Sequence, residues 1–280
     1  MVQDYFLKAT RRDFVAMLSL GTAAVRAFAD AEPALHFSAV DHVSLAVSDT
    51  GRSVAFYSRI FGNTVMKDKR SDRRYLQLGP AYMAISSPEQ GQAAHRVDHI
   101  CGGVEGYQTE AVRKLLQTRG VTSRDGAAGL MVSDPDGLQI QLFESESWNQ
   151  LPSRAAPESV HAEDPIFRPT GLDHLLLRVS DPDKAAEFYA KIFGPVTQRA
   201  NNRTWFQVGK SRIGLIASDA EHPTGVDHFC VAAERFGYET AVKQLQQAGA
   251  KVQAPEVAGA PEFRDPDGIL VQVMAPRAAA

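Results

Sequence analysis

Four of the eight histidines follow an aspartate near the head of an alternating run: Asp41-His42, Asp98-His99, Asp173-His174 and Asp227-His228. Imidazole ligates metals and moves protons near neutral pH. A single histidine on a strand is more often a satisfied core or surface residue. Recurrence in one register makes these four candidate ligands. An amide recurs as well: "DPDGLQIQ" at 134–141 returns as "DPDGILVQ" at 265–272. Asp-Pro-Asp-Gly is turn chemistry, with Pro presetting φ and Gly taking the positive φ that closes a hairpin. Gln141 and Gln272 each sit four residues past the turn glycine on matched β-rich runs. Each offers a neutral oxygen donor or a hydrogen-bonding group where core filling would more often use Leu or Val.

The elements that position these residues follow from the repeats. "VDHVSLAVSDTGRSVAFYSRIFG" (40–62) is echoed by "LDHLLLRVSDPDKAAEFYAKIFG" (172–194), and "RYLQLGPAYMAIS" (74–86) by "TWFQVGKSRIGLI" (204–216). "RVDHICGGVEGYQTEAVRKLLQTRG" (96–120) is echoed by "GVDHFCVAAERFGYETAVKQLQQAG" (225–249), so the chain is a duplication. Each half holds two similar units, each opening on its Asp-His run. Val54, Tyr57, Ile60 and Phe61 form a helical stripe that ends at Gly62, and Asp181-Pro182 reads as an N-cap followed by Pro at the first helical position. Three short β-like runs close each unit, which gives βαβββ four times. A segment with Pro152, Pro157, Pro165 and Pro169 separates the halves. The expected layout is a first domain at 38–150, a linker or packed strap at 151–170 and a second domain at 171–276.

Composition excludes several classes. The 280 residues are 44% hydrophobic and 22% charged with a net charge of -3, a soluble globular composition with no basic footprint for nucleic acid. Cys101 and Cys230 are the only two cysteines, too few for a disulfide framework or a four-thiolate zinc site. Residues 1–30 differ in kind. Arg11-Arg12 precede Phe14 and an apolar run from Val15 to Val25, with small-residue cleavage sites near Ala29. The run suits a signal segment of the twin-arginine type, implying export to the periplasm and no membrane anchorage after removal; an amphipathic N-terminal helix is the other reading.

The pattern "DHVSLAVSD…FY…FG…DPDG" resembles the vicinal oxygen chelate superfamily, which includes glyoxalase I, extradiol dioxygenases and bleomycin-resistance proteins. The resemblance runs over roughly 38–275. It implies an α+β fold of four βαβββ units paired into two domains with cupped mixed sheets. It also implies a divalent metal (Fe²⁺, Mn²⁺ or Zn²⁺) in each cup. The family's first-strand histidine falls on His42 and His99, and on His174 and His228. Its last-strand carboxylate falls on Gln141 and Gln272. An amide brings no charge, and a unit charge at roughly 4 Å is worth about 4 kcal/mol, so the ion is expected to be weakly held. The additional glyoxalase I carboxylate falls on Ala84 and Gly214, which cannot coordinate. The extradiol tyrosine falls on Met131 and Glu262.

Alternation places further residues on the cup face. Cys101 and Cys230 are expected inside the cups as soft ligands, reactive thiols or small filling residues. Tyr75 with Gln77, and Trp205 with Gln207, form aromatic-plus-amide pairs suited to a flat polar ligand or to core packing. Glu262 is a candidate base and Arg264 a candidate anion partner, or the two form a surface salt bridge. These polar substitutions favour the second half as the seat of chemistry. The expected function is that of an exported metal-dependent enzyme acting on vicinal oxygens of a small substrate, of oxygenase type rather than glyoxalase I type. A metal-free small-molecule binder of the bleomycin-resistance kind is the alternative, and a structural relative the third reading. The expected partner is a small molecule, and the expected state a monomer or homodimer.

Overall fold

The structure, a computed structural model, describes residues 35–277 apart from 92 and 161–163; the expected signal segment lies outside the described residues. Each of the four units follows the expected order. The first runs β1 (Phe37–Ala46), α1 (Thr50–Phe61), β2 (Val65–Asp68), β3 (Arg74–Leu78) and β4 (Ala81–Ser86). The second runs β5 (Arg96–Val104), α2 (Thr109–Thr118), β6 (Arg124–Asp125), β7 (Leu130–Ser133) and β8 (Gln139–Glu144). The segment between the halves is more than a linker. A 3₁₀ helix at Ser147–Ser153 leads into β9 (Ala155–Glu158), which pairs with β2 as an edge strand. Pro157 is tolerated because an edge leaves one side without partners.

The second half repeats the plan with β10 (Pro169–Val179), α3 (Pro182–Phe193), β11 (Val196–Ala200), β12 (Arg203–Val208) and β13 (Ser211–Ala217). It closes with β14 (Gly225–Ala233), α4 (Tyr238–Gln247), β15 (Lys251–Gln253), β16 (Glu262–Arg264) and β17 (Leu270–Met274). One sheet has the order β6-β7-β8-β5-β1-β4-β3-β2-β9, the other β11-β12-β13-β10-β14-β17-β16-β15. In each, the two units meet through an antiparallel pair of first strands, β1 with β5 and β10 with β14. The fold is thus α+β with two cupped mixed sheets.

Alternation sorts the strands. On β4, Met83 and Ile85 enter one large apolar cluster that runs through both halves, while Tyr82 and Ala84 face the cup with Tyr75, Met66 and Leu151. The repeated turns tie the halves together crosswise. The Tyr57 hydroxyl on α1 donates to Asp265 Oδ2 at 2.9 Å, and the Tyr189 hydroxyl on α3 donates to Asp134 Oδ2 at 3.0 Å. The Ser48 backbone donates to Asp267 Oδ1 at 3.0 Å and the Ser180 backbone to Asp136 Oδ2 at 2.9 Å. Each Asp-Pro-Asp-Gly turn therefore seats the helix of the opposite half.

A second crossing point is tighter. Gly209 has φ +56, and a Cβ built there would stand 2.1 Å from the Ser38 carbonyl oxygen of the first half. G209A is expected to lose about 2–4 kcal/mol of stability in urea unfolding, through left-handed strain plus overpacking against backbone.

Candidate metal centre

The Asp-His pairs are built by bulges. Partners run Val40 to Gly102 and then His42 to Cys101, so Asp41 is the extra residue; the same count makes Asp98 extra between Val97 and His99. In the second sheet Asp173 and Asp227 are the extra residues. A bulge re-aims side chains, which lets adjacent residues act together where a regular strand would point them apart. Each aspartate meets the Nδ1 of its own histidine: Asp41 at 2.8 Å, Asp98 at 2.9 Å, Asp173 at 2.5 Å and Asp227 at 2.9 Å. An ionised carboxylate only accepts, so Nδ1 carries a proton, and in the neutral ring Nε2 then keeps its lone pair.

The Nε2 atoms then meet other acceptors. His42 Nε2 lies 3.1 Å from Gln141 Oε1, and Gln141 is held in that orientation because its Nε2 donates to the Ala128 carbonyl. His174 Nε2 lies 3.2 Å from His228 Nε2. Gln272 donates through Nε2 to Glu262 Oε1 at 2.8 Å, while its buried Oε1 has no partner. Lone pairs facing each other need a cation between them. Burial, the largest influence on both His42 and His174, pushes their protonation below the ordinary histidine range against the pull of Asp41 and Asp173. A proton is therefore disfavoured as that cation. Two ligands at about 2.1 Å from one ion, set at a right angle, stand roughly 3.0 Å apart. The donor spacings fit a divalent ion.

A second grouping, Asp41, His42 and Cys101, has donor atoms within 4.8 Å of one another, as do Asp173, His174 and Cys230. Asp41 already accepts from His42 Nδ1, from the Ser147 backbone at 2.9 Å and from the Ser147 hydroxyl at 2.6 Å. It orients His42 and leaves coordination to Nε2 and the amide.

The two cups differ in lining. A cavity of about 880 Å³ opens over the first, lined by His42, His99, Gln141, Tyr75, Tyr82, Ala84 and Met131, and walled on one side by the second half through Arg178, Asp227 and 268–270. Tyr82 stacks on His42 with centroids 4.4 Å apart, and His99 stands edge-on to His42 at 5.7 Å. The second cup carries a bulkier lining. Trp205 packs over Gly214, where a Cβ would meet its ring at 2.7 Å. Arg212 lies 4.5 Å above the Trp205 ring, the His174 ring is edge-on to it at 5.5 Å, and Arg277 donates to Asp173 at 2.8 Å. An open cavity lies over the first cup, whereas the sequence favoured the second half; Tyr75 and Tyr82 stand there in the places that Trp205 and Arg212 hold in the second cup.

Other expected site residues are placed as follows. Glu262 accepts from Gln272 Nε2, from the Glu256 backbone at 2.9 Å and from Gln253 Nε2 at 3.2 Å. It orients Gln272, is buried and does not line the open cavity. Arg264 does not pair with it; its guanidinium donates to the Gly268 carbonyl at 2.9 Å and lines the first cavity. The amides of Gln77 and Gln207 turn to their own hairpins, donating to the Gly79 carbonyl at 3.0 Å and the Gly209 carbonyl at 2.6 Å. Cys101 and Cys230 are fully buried beneath the histidines, and burial pushes both thiols far up, so they act as small neutral filling. Tyr75 lines the cavity as expected. Sequence reasoning missed Tyr82, Arg73, Arg154 and the four aspartates. Of these only the aspartates left a signal, in the fourfold Asp-His repeat.

A family model described as "Glyoxalase/Bleomycin resistance protein/Dioxygenase superfamily" matches residues 39–142 and 171–273. The chain belongs to that superfamily. Among solved structures it is similar to the 2,3-dioxygenase LapB from Pseudomonas sp. KL28, with TM-score 0.62 and 15% identity over 85% of this chain and 92% of that one. It is similar to the Mn(II)-bound glyoxalase from Novosphingobium aromaticivorans, with TM-score 0.62 and 13% identity over 86% and 83%. It is also similar to a xylose isomerase-like TIM barrel/4-hydroxyphenylpyruvate dioxygenase fusion protein, with TM-score 0.63 and 14% identity over 90% of this chain; it spans about half of that protein, 51%. At these identities the likeness is one of fold. A search of curated proteins returns no match.

Proposed function

We propose that the first cup is the active site of a metal-dependent enzyme acting on a small molecule with two adjacent oxygens, of oxygenase rather than glyoxalase I type. The observation that carries this reading is the 3.1 Å approach of His42 Nε2 to Gln141 Oε1, acceptor to acceptor when Asp41 holds the ring's proton on Nδ1, at the wall of an open cavity. His42, His99 and Gln141 would hold the ion. A bound divalent metal supplies Lewis acidity toward vicinal oxygens and, as iron, a place for O₂.

The chain's own residues do the rest. Asp41 and Asp98 keep the proton on Nδ1 and restore negative charge that the neutral amide lacks. Tyr82 fixes the plane of His42 by stacking, and its own hydroxyl is pushed up by burial, so it stays protonated. On β4 the cup presents Tyr82 and Ala84 and no carboxylate, which favours three protein ligands and vacant positions over the four-ligand glyoxalase I arrangement. Met131 excludes water beside Gln141, its partner across β7 and β8, and supplies no proton.

The test is Mn²⁺ electron paramagnetic resonance on the full chain, followed by oxygen uptake with Fe²⁺. Adding catechol or 3,4-dihydroxybenzoate is expected to change the Mn²⁺ spectrum, and Fe²⁺ to support oxygen uptake with one of the two. An unchanged Mn²⁺ spectrum with both probes contradicts the reading. A related expectation concerns the amide. Q141E should tighten Mn²⁺ binding by about 100-fold in a chelator competition, because a full charge is gained at ligand distance while the contact to Ala128 is lost.

Export through the twin-arginine pathway belongs to the same reading and is carried by Arg11-Arg12 and the apolar run after them. Changing both arginines to lysine is expected to hold the chain in the cytoplasm, read by cell fractionation.

A further inference from the structure

The charged residues around the first cavity are not equally committed. Arg96 pairs with Asp98 at 2.5 Å, Arg178 with Asp227 at 2.5 Å, and Arg124 donates to Gln139 at 3.0 Å. The lining carboxylates that are not exposed all accept: Asp98 from His99, Asp134 from Tyr189, Asp136 from Ser180 and Asp227 from His228. Two arginines stand apart. Arg73, in the turn before β3, and Arg154, at the end of the 3₁₀ helix, are half-buried and line the cavity. Neither guanidinium has a hydrogen bond or ion pair among the described residues. Arg154 lies 5.3 Å above the Tyr75 ring, and both arginines pull the Tyr75 hydroxyl down against burial. Tyr75 is edge-on to Tyr82 at 5.8 Å, and Tyr82 stacks on His42. Arg154 is therefore two rings away from the candidate ligand.

A guanidinium partly withdrawn from water without an acceptor is costly unless a ligand supplies one. Its planar fork matches a carboxylate bidentately, and its position against an aromatic face fixes the direction of approach. We propose that the first cup takes an anionic substrate, a small molecule carrying a carboxylate in addition to its two adjacent oxygens. Arg154 and Arg73 receive the carboxylate and set the oxygens toward His42, His99 and Gln141. Arg154 is a specificity-determining residue supplied by the strap between the halves, and it stands outside the coordination itself. This rests on the first cup being the substrate site.

The experiment measures a ratio. Dissociation constants of 3,4-dihydroxybenzoate and catechol, identical save for the carboxylate, are determined by calorimetry on the full chain, with and without Mn²⁺. Wild type is expected to favour the carboxylated probe by roughly tenfold or more. The ratio should fall to about one in the double variant R73A/R154A and stay above one in R154K, which keeps the charge. Raised salt should shrink the wild-type ratio and leave that of the double variant alone. The ratio does not depend on the fraction of folded protein, so partial misfolding of a variant cannot imitate the result. A wild-type protein that binds the carboxylated probe no more tightly than catechol, or binds neither, overturns the proposal. So does an advantage that survives in R73A/R154A. Affinities indifferent to Mn²⁺ count against the metal reading alone, and the carboxylate ratio is judged separately.

Discussion

Replacement of His42 by alanine is expected to weaken divalent-ion binding in the first cup by about 1000-fold, measured as Mn²⁺ or Zn²⁺ competition against a chromophoric chelator. Loss of a residue that only orients a ligand typically costs 10–100-fold, and removal of the ligand itself must exceed that. His42 would supply one of two imidazoles, and the third candidate donor, Gln141, is neutral. Its ring also stacks on Tyr82, so the variant opens space in the wall as well as removing a nitrogen. D41N gives the graded control. It leaves Nε2 in place but replaces the carboxylate at 2.8 Å from Nδ1 with an amide, and the expected loss is about 10–100-fold. Equal affinity in wild type and H42A would move the ion to another site. Near-UV circular dichroism is the check that the variants are folded.

The second large effect lies in the crosswise clasp. D265A is expected to destabilise the chain by about 4 kcal/mol in urea unfolding, because three buried donors lose their acceptor at once. Asp265 takes the Tyr57 hydroxyl at 2.9 Å, the Ile269 backbone at 2.7 Å and the Asp267 backbone at 2.9 Å, and is itself 2% exposed. Two of those bonds shape the turn and the third ties it to a helix of the other half. Y57F separates the roles: it deletes only the crossing bond and should cost about 1 kcal/mol. Burial raises the pKa of Asp265, while the three hydrogen bonds it accepts favour its ionised form. A D265A loss below that of Y57F contradicts the clasp.

Much of the fold was legible because the chain states it four times. The stripe of Val54, Tyr57, Ile60 and Phe61 falls on α1 as periodicity requires, and the expected N-cap at Asp181 opens α3, its carboxylate accepting from the Lys184 backbone at 3.1 Å. The amides at Gln141 and Gln272 were found through turn chemistry, which is local. The aspartates were passed over because a regular strand sends neighbouring side chains to opposite faces. Only the bulge at each Asp brings both to bear on one site, and no strand rule places a bulge from sequence. Gln77 and Gln207 obey alternation in the backbone, yet their amides turn to their own hairpins. The cavity over the first cup was not legible locally, because its walls come from both halves, with Tyr75 and Tyr82 on one side and Arg178 and Asp227 on the other. Arg154 reaches the cavity from a segment that reads as a linker, and its place follows from the pairing of β9 with β2.

The most direct measurement is anomalous diffraction from crystals of the full chain soaked in MnCl₂. The predicted result is a peak within about 2.0–2.3 Å of His42 Nε2, His99 Nε2 and Gln141 Oε1, at the wall of the open cavity. A map with no peak there, or with its only peak between His174 and His228, contradicts the account.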